Sequence, residues 1–386
     1  MMEILNPVWA EINLDNLNFN INKIKEKVRG SKIIGIVKCD AYGHGAIEVS
    51  KCLIKNGVNK LAVANINEAI ELRKNGIDCS IMILGITIEE AIDKLIEYNI
   101  ESAVSTYDFA YKLSKKAKKL GKIAKINIAL DTGMGRIGFR YSKESIEDIK
   151  KISELENMEI CSIFSHFSSA DHKDKEYCKF QIKNYNLFQR ELAKYKLDVC
   201  SKCVANSATV IDMPEYKFDY VRPGIIEYGY YPSNEVKKQL LEIKPVLTWK
   251  TKIIHIKAVE ENQCIGYGRK FKTKRKSIIA TIPVGYGDGY SRNLSGKAKV
   301  IVNGHIVPVV GTICMDQCMI DVTDVENVNL HDEVVLLGKQ GDAKFDAEDM
   351  ADLIDSISYE VLCNIGRRVP RVYIEGEKII KIKNYM

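Results

Sequence analysis

The sequence lacks an apolar run long enough to span a bilayer, which takes about 20 predominantly apolar residues. Its opening stretch, MMEILNPVWAEINLDN, has no apolar segment of the kind found in secretory signal peptides. The 11 cysteines are odd in number and scattered over 386 residues, without the spacing of a small disulfide framework. These absences argue against a membrane or small secreted protein, and we expect a cytoplasmic chain with reduced cysteines.

The sequence also lacks a strong excess of charge. Lys and Arg total 57 against 51 Asp and Glu, which leaves a net charge of +6. A nucleic-acid partner would therefore need a concentrated basic patch. The two basic clusters, KKAKKLGK (115–122) and RKFKTKRK (269–276), are typical of solvated surface, so no nucleic-acid partner is predicted.

Two cysteine pairs resemble halves of a zinc site, namely Cys200 with Cys203 and Cys314 with Cys318. If the first pair lies on a strand, residues three apart face opposite sides of the sheet and cannot share one ion. Structural thiols and no metal are therefore predicted.

The length exceeds that of one ordinary core and favours two domains. From residue 33 to about 224, apolar runs alternate with helical stretches eight times, which is typical of a (β/α)8 TIM-type barrel, although an open doubly wound sheet has the same alternation. The predicted strands are IIGIVK (33–38), KLAVAN (60–65), SIMILG (80–85), SAVST (102–106), KINIALD (125–131), EICSIFSH (159–166), CVANS (203–207) and YVRPG (220–224).

Turn and cap residues divide the helices from the strands. Asn-Gly pairs at Asn56 and Asn75 predict helix ends, and Thr87 with Glu90 has the spacing of a capping box. After residue 240 the pattern changes to strands without helices, and Asn303-Gly304 between two apolar runs predicts a hairpin. Pro308 in the second run predicts an edge or a bulge. The predicted domains are 1–240, a barrel, and 241–386, a mostly-β domain.

The first predicted strand ends in Lys38. In barrels and doubly wound sheets, ligands bind at the carboxyl ends of the strands, which makes this lysine a candidate functional residue. The alternative is a lysine that extends from the sheet edge into solvent.

Several motifs occur in the order seen in alanine racemases, and the chain resembles that family over nearly its whole length. The motifs are VKCDAYGHG (37–45), DTGMGRIG (131–138), SHFSSAD (165–171), ANSA (205–208), VRPGI (221–225), GYGR (266–269), PVGYGDGY (283–290), CMDQ (314–317) and SYEVLC…RVPR (358–371). The resemblance implies a barrel that binds pyridoxal 5′-phosphate (PLP), a C-terminal β domain and a homodimer whose subunits share their active sites.

Within this resemblance Lys38 corresponds to the Schiff-base lysine that holds the cofactor. The residues that resemble the cofactor phosphate site are Tyr42, Asn206, Ser207, Gly224, Ile225 and Tyr359. Asn206 could equally be a plain helix N-cap. Arg222 resembles the arginine that faces the pyridine nitrogen. A guanidinium keeps its proton, so that nitrogen stays unprotonated, which favours racemisation over transamination.

Racemisation needs one base on each face of the substrate Cα. The resemblance assigns one face to Lys38 and the other to Tyr267 of the partner subunit. It gives His166, Arg222 and Asp316 supporting roles. It places Arg136 and Met315 at the substrate carboxylate, and it implies that Asp171, Tyr286, Arg292 and Ile357 narrow the channel through which substrate arrives.

Three positions depart from the family pattern. Ala129 stands where many members carry a carbamylated lysine, so Arg136 must find another anion, a water molecule or less support. Cys203 replaces a histidine that contacts the pyridine-facing arginine, and Thr312 stands where many members have arginine.

The expected activity is interconversion of L- and D-alanine, which supplies D-alanine for peptidoglycan. The alternatives are a racemase of serine, ornithine or lysine, and a non-catalytic PLP-binding protein.

Overall fold

The computed structural model describes residues 6–197 and 201–385 of the chain, so Cys200 lies outside the described residues. These residues form two compact units. The barrel unit contains residues 18–41 and 46–244, as far as they are described. The β unit contains the described residues up to Leu17, Tyr42–Gly45, and those from Pro245 onward.

The strands follow one another along the chain as β1 Val8–Asn13, β2 Lys32–Ile36, β3 Lys60–Val63, β4 Ser80–Ile86, β5 Glu101–Val104, β6 Ala124–Asp131, β7 Phe139–Arg140, β8 Met158–Phe164, β9 Ser201–Ala205, β10 Tyr220–Val221, β11 Leu247–Lys252, β12 His255–Val259, β13 Cys264–Ile265, β14 Phe271–Lys272, β15 Ser277–Ile282, β16 Lys299–Val302, β17 His305–Val310, β18 Cys318–Asp321, β19 Glu333–Gln340, β20 Ala343–Phe345, β21 Arg371–Glu375 and β22 Lys378–Lys383.

The helices are α1 Leu14–Lys27, α2 Ala46–Lys55, α3 Ile66–Lys74, α4 Ile92–Glu97, α5 Tyr107–Lys119, α6 Lys143–Ser153, α7 Glu176–Ala193, α8 Ser207–Asp212, α9 Ala347–Asp352 and α10 Ser358–Cys363. Short 3₁₀ turns span Glu89–Ala91, Pro214–Tyr216, Gly224–Tyr228, Lys238–Leu240, Tyr267–Arg269, Tyr286–Asp288 and Arg292–Leu294. One further helical segment, Lys38–Tyr42, follows β2 directly.

Eight parallel strands close into a ring in the barrel unit. Their order is β5-β4-β3-β2-β10-β9-β8-β6, and β5 also pairs with β6. The predicted barrel is confirmed, and closure of the ring excludes the open sheet. Every position of β3 and of β5 is buried, which explains why these strands appear in the sequence as continuous short runs rather than alternating ones.

The predicted helix ends are confirmed, and the predicted capping box is wrong. Helices α2 and α3 stop before Gly57 and Gly76, both of which have a φ of +77°. After β4 the first turn begins at Glu89 with Ile88 at its N-cap and no side-chain cap. The Thr87 hydroxyl instead accepts from Ser102, so a tertiary contact has replaced the local one.

The β unit is built on one large sheet in the order β12-β15-β18-β17-β16-β19-β11-β1-β21-β22, with β20 beside β19. The N-terminal β1 lies between β11 and β21. The predicted hairpin joins β16 and β17, with Asn303 and Gly304 both at positive φ. Pro308 pairs with Lys299 of β16, whereas pairing with β18 begins at Val309.

None of the described helices is long and apolar enough to cross a membrane. Ten cysteines fall within the described residues, and each of them is a free thiol.

Candidate active site

Lys38 lies at the carboxyl end of β2, where the barrel strands meet the loops, and its side chain is half-buried. The backbone after it is left-handed. Cys39, Asp40, Ala41 and Tyr42 have φ values of 53°, 49°, 56° and 53°. Left-handed residues with a Cβ cost about 1–2 kcal/mol each, and such strain tends to persist at functional sites. The backbone therefore singles out this segment independently of any sequence motif.

Arg222 is buried directly after β10, and its guanidinium is held on both amino groups. Nη1 donates to the Cys203 carbonyl at 3.0 Å and to the Cys203 Sγ at 2.8 Å. Nη2 donates to the Ser165 carbonyl at 2.6 Å and to Nδ1 of His166 at 3.2 Å. Among the described residues, none accepts the remaining N–H, on Nε. The guanidinium is thus fixed in place with one donor left for a ligand.

His166 is a neutral hydrogen-bond acceptor in this arrangement. A guanidinium can only donate, so Nδ1 carries no proton. Burial, together with the charges of Arg222, Arg136 and Lys38, lowers the pKa of His166 to about 3. Burial first, and the surrounding cations second, explain why a histidine here stays uncharged near neutral pH.

Arg136 lies on the loop after β6, and its side chain is exposed. The Asp131 carboxylate shapes this loop by accepting from the N–H groups of Gly133, at 3.1 Å, and Gly135, at 2.9 Å. Ala129 is buried two residues before Asp131. Asp171 follows the His166 loop and is half-buried, and its carbonyl accepts from the Ser233 hydroxyl.

Helix α7 holds the loops of Arg136 and His166 through Gln181. The buried Gln181 donates to the His166 carbonyl at 2.9 Å and accepts from the Ser168 N–H at 3.0 Å. It also lies 3.5 Å from the Thr132 hydroxyl, next to Asp131. Sequence reasoning missed this residue. One sequence feature could have indicated it: Gln181 is the one amide on the buried face of the helix. The other residues of that face are Cys178, Ile182, Tyr185, Phe188 and Leu192.

The predicted phosphate-site residues of the barrel unit follow β9 and β10. Asn206 caps α8, since its Oδ1 accepts from the Thr209 N–H at 3.1 Å, and the N-cap interpretation therefore describes its contact. Ser207 is the first residue of that helix and is buried. Gly224 and Ile225 open the 3₁₀ turn after Arg222, with Gly224 at a φ of +51°.

The β unit holds the remaining predicted residues. Tyr42 and Tyr359 are close, with ring centroids 5.9 Å apart. Ile357 is exposed at the N-cap of α10, two residues before Tyr359. Arg292 is exposed at the start of its own 3₁₀ turn.

Tyr267, Tyr286 and Met315 are brought together by their loops. The Thr312 hydroxyl donates to the Tyr267 carbonyl at 2.9 Å, and the Tyr286 N–H donates to the Cys314 carbonyl at 3.1 Å. The side chains nonetheless lie open, with Tyr267 69% exposed and Met315 52% exposed.

Asp316 is held by an arginine that sequence reasoning did not assign. Arg368 donates to Asp316 at 2.6 Å and to the buried Asp288 at 2.7 Å. These bonds raise the pKa of Arg368 above its usual value, first through Asp288 and then through Asp316. The arginine begins the quoted segment RVPR, but nothing local in the sequence indicates its two partners.

Both units match one known family. Residues 12–232 match the alanine racemase N-terminal domain, and residues 246–373 match the alanine racemase C-terminal domain. The chain belongs to the alanine racemase family. The predicted membership is thereby confirmed, and it makes the chain a member of a family of PLP-dependent isomerases.

Individual relatives are similar over the full length. The alanine racemase of Clostridium kluyveri is 55% identical over 386 residues, which span 100% of this chain and 99% of the relative. The solved structure of alanine racemase from Clostridium difficile 630 has a TM-score of 0.95 and 43% identity, covering 100% of both chains. A histidine racemase from Leuconostoc mesenteroides subsp. sake has a TM-score of 0.88 and 28% identity, covering 97% of this chain and 99% of its own.

Alanine racemases use PLP, and the barrel unit fits that cofactor. Lys38 and Arg222 both follow barrel strands at their carboxyl ends. The Nε–H of Arg222 would suit a ring nitrogen, and Ser207, Gly224 and Ile225 have a hydroxyl and N–H groups that would suit a phosphate. Phosphate sites of barrels are commonly formed by the loops after the last two strands, where these three residues lie. In this member, Cys203 contacts Arg222 through both its carbonyl and its thiol, where the family pattern has a histidine.

Proposed function

We propose that this protein interconverts L- and D-alanine with PLP as cofactor. The observation that carries the proposal is the fixed guanidinium of Arg222, which has Nε–H as its one remaining donor and follows a strand of the same barrel as Lys38. Full-length similarity to alanine racemases supports the choice of alanine.

In this proposal Lys38 binds the cofactor covalently. Its phosphate is held by Tyr42, Asn206, Ser207, Gly224, Ile225 and Tyr359. Once bound, PLP supplies an electron sink for the bond between Cα and its hydrogen. Arg222 would hold the ring nitrogen through a group that cannot give up its own proton, which would keep the electron sink weak and favour return of the proton to Cα.

Two side chains move that proton. Lys38 accepts or delivers it at Nζ on one face of Cα, and Tyr267 does so at its hydroxyl on the opposite face. A free tyrosine has a pKa of about 10 and needs help to act as a base. We assign this help to His166 and Arg222, because the neutral His166 already accepts a hydrogen bond from the Arg222 guanidinium.

We further propose a homodimer in which residues 1–240, together with Tyr359, bind the cofactor and residues 241–386 contribute Tyr267 and Met315 to the site of the partner subunit. The high exposure of Tyr267 and Met315 supports this, because a catalytic phenol works best where water is excluded.

Arg136 and Met315 would bind the substrate carboxylate, with Asp316 in support through Arg368. Asp171, Tyr286, Arg292 and Ile357 would narrow the channel to small substrates. The product would serve peptidoglycan synthesis in the cytoplasm.

A second candidate function is racemisation of a different amino acid. The histidine racemase shares the fold over nearly the whole chain, so the fold alone does not fix the substrate. The small side chain of Ala129, two residues before the Arg136 loop, favours this candidate more than any other position, with serine, ornithine and lysine as the substrates to test.

The experiment is a panel in which purified protein with PLP is incubated with each L-amino acid and the D-enantiomer is measured. Alanine is expected to give the highest kcat/KM. A higher value for another amino acid would establish the second candidate. Cofactor bound without formation of any D-amino acid would mean that the protein is a non-catalytic PLP carrier.

A further inference from the structure

The strand that precedes Lys38, β2, pairs with β3 as far as Ile36 but is poorly supported by its other neighbour, β10. β10 has two residues, and its register with β2 pairs Tyr220 with Lys32 and Val221 with Ile33. β2 continues to Ile36, three positions beyond this pairing. The backbone of Ile36 therefore needs partners other than β10, because unpaired buried backbone groups are costly.

Two side chains of the turn Gly224–Tyr228 supply those partners. The Ile36 N–H donates to both oxygens of Glu227, at 3.3 and 3.2 Å, and the Tyr228 hydroxyl donates to the Ile36 carbonyl at 2.7 Å. Glu227 and Tyr228 are both fully buried. Burial raises the pKa of the Glu227 carboxyl well above its usual range. A protonated carboxyl still accepts through its carbonyl oxygen, so the bond survives in either form.

A third side chain holds the backbone on the other side of Lys38. Glu68 lies in the first turn of α3, where the Asn65 side chain accepts from the N–H groups of Asn67 and Glu68. One Glu68 oxygen accepts from the Ala64 N–H at 2.7 Å, as expected of a residue that supports a helix start. The other accepts from the Cys39 N–H, also at 2.7 Å. This second bond has no function in the helix, and it reaches the first residue of the left-handed turn.

We propose that Glu68, Glu227 and Tyr228 are positioning residues that clamp the backbone on both sides of Lys38 and so set the direction of its side chain. The inference rests on the proposed function, since it concerns the lysine assigned there to the cofactor and to proton transfer. A strained backbone needs such support, because nothing local to the sequence favours four consecutive left-handed residues.

The two halves of the clamp differ in what else they touch. Glu227 and Tyr228 belong to the same five-residue turn as Gly224 and Ile225, the residues assigned to the cofactor phosphate. Loss of Tyr228 contacts should therefore weaken cofactor binding as well as misplace Lys38. Glu68 belongs to α3, so its loss should affect Lys38 with little effect on the phosphate.

Glu68 and Glu227 differ in the number of N–H donors that their carboxyl groups accept. Glu68 serves two N–H donors with two oxygens, so glutamine, with one acceptor oxygen, leaves one donor unpaired. Glu227 serves one N–H, so glutamine can still accept it. We expect Glu68→Gln to lower kcat for alanine about ten-fold or more, since small misplacement of a reacting group is costly. Glu227→Gln should stay within a few-fold of the parent, and Glu227→Leu should fall as Glu68→Gln does.

The experiment compares Glu68→Gln, Tyr228→Phe and the two Glu227 variants with two matched controls. Glu71→Gln changes a glutamate one turn further along α3 whose carboxylate makes no hydrogen bond within the described chain. Tyr185→Phe deletes a buried hydroxyl that donates to the carbonyl of Ile163 on another barrel strand. For each variant, kcat, KM, the dissociation constant of PLP, the fraction of PLP that borohydride fixes to Lys38 and the folded fraction are measured.

The clamp predicts a fall in kcat and in the fraction fixed to Lys38 for Glu68→Gln and Tyr228→Phe, with KM unchanged within about two-fold. It predicts that PLP binding weakens more for Tyr228→Phe than for Glu68→Gln. Values of kcat equal to those of the controls, or a loss no larger than the loss of folded protein, would overturn it. An unmodified protein that neither racemises alanine nor fixes PLP to Lys38 would instead refute the proposed function.

Discussion

At the scale of single residues, His166 shows how burial and neighbouring cations together keep a base unprotonated. Its pKa is lowered to about 3, chiefly by burial, whereas an unfolded histidine titrates near 6.5. Between these values the unfolded chain binds the extra proton and the folded chain does not. Stability must therefore fall as the pH drops below about 6.5, with the contribution of His166 absent above that value.

We predict that His166→Asn makes the free energy of unfolding less dependent on pH between about 7 and 5. Asparagine can still accept from Arg222 through its amide oxygen but takes up no proton in this range. Urea unfolding at several pH values measures the effect, with His172→Asn as a control that removes an exposed histidine elsewhere. Parallel curves for the unmodified protein and His166→Asn would show that His166 is protonated in the folded state.

The sequence indicates the position of some site residues better than that of others. The positions of Lys38 and Arg222 after barrel strands could be predicted, because each residue lies in a motif at the end of an apolar run. Glu68, Glu227 and Arg368 could not, because their partners are backbone groups or carboxylates far away in the sequence. Only closure of the barrel or formation of the sheet brings those partners within reach.

At the scale of elements, α7 fixes two loops through one side chain. Gln181 satisfies the His166 carbonyl and the Ser168 N–H, so replacing it by an apolar residue leaves both without that partner. Eight residues further along the same helix, Gln189 has a side-chain amide that is buried without a hydrogen bond to any described residue. The buried amide of Gln181 is thus hydrogen-bonded, whereas the buried amide of Gln189 has no hydrogen bond within the described residues.

We predict that Gln181→Leu destabilises the protein by about 1–3 kcal/mol, the usual cost of leaving a buried polar group unsatisfied, and lowers kcat. Gln189→Leu should be neutral or stabilising, because it removes polar atoms that have no partner there. Denaturant unfolding and steady-state kinetics on both variants make the comparison. Equal stability losses in the two variants would contradict it.

The elements also show where local patterns are reliable. Buried parallel strands need apolar residues on both faces, so all eight barrel strands were apparent in the sequence. The predicted capping box of Thr87 and Glu90 does not form, because it requires Thr87 to be the N-cap. The helical turn begins at Glu89 and its N-cap is Ile88. In the folded chain the Thr87 hydroxyl has a partner in Ser102 of β5, which no local rule includes.

At the scale of the whole molecule, a buried ion pair crosses the barrel interior. Lys60 of β3 and Glu101 of β5 lie 2.5 Å apart although β4 separates their strands. Asn127 donates to Glu101 at 2.9 Å, and Ser162 donates to Asn127 at 2.5 Å, so the network continues through β6 to β8. The network ties four strands of the ring together, and Lys60 and Glu101 are the first residues of their strands.

We predict that Lys60→Met lowers the free energy of unfolding by about 3–5 kcal/mol, because it leaves the Glu101 charge buried without its partner. The double variant Lys60→Met/Glu101→Leu should recover part of this loss, since both charges are then gone. Denaturant unfolding of the single and double variants measures the coupling. A double variant less stable than Lys60→Met would indicate that the network, rather than the unpaired charge, dominates.

The proposed sharing of active sites between subunits leads to a prediction about mixed dimers. Lys38→Ala and Tyr267→Phe should each be nearly inactive, yet a mixture that exchanges subunits should regain activity, because one site of each heterodimer has both bases. Activity is followed as D-alanine formation before and after exchange. Exchange demonstrated without recovery would mean that Tyr267 acts on its own chain.

The position of β1 has a consequence for synthesis on the ribosome. Ala10 pairs with Trp249 on one side and with Arg371 on the other, so a strand made among the first residues completes its sheet only after nearly the whole chain has been translated. The barrel unit, which ends at Lys244, can fold much earlier. Meanwhile the edge of VWAEIN stays open, and an open edge strand invites pairing with other chains. Ribosomes stalled after Lys244 but before Arg371 should therefore carry a folded barrel and an N-terminal strand that is free to pair with other chains. We expect such a nascent chain to bind chaperones that shield extended segments.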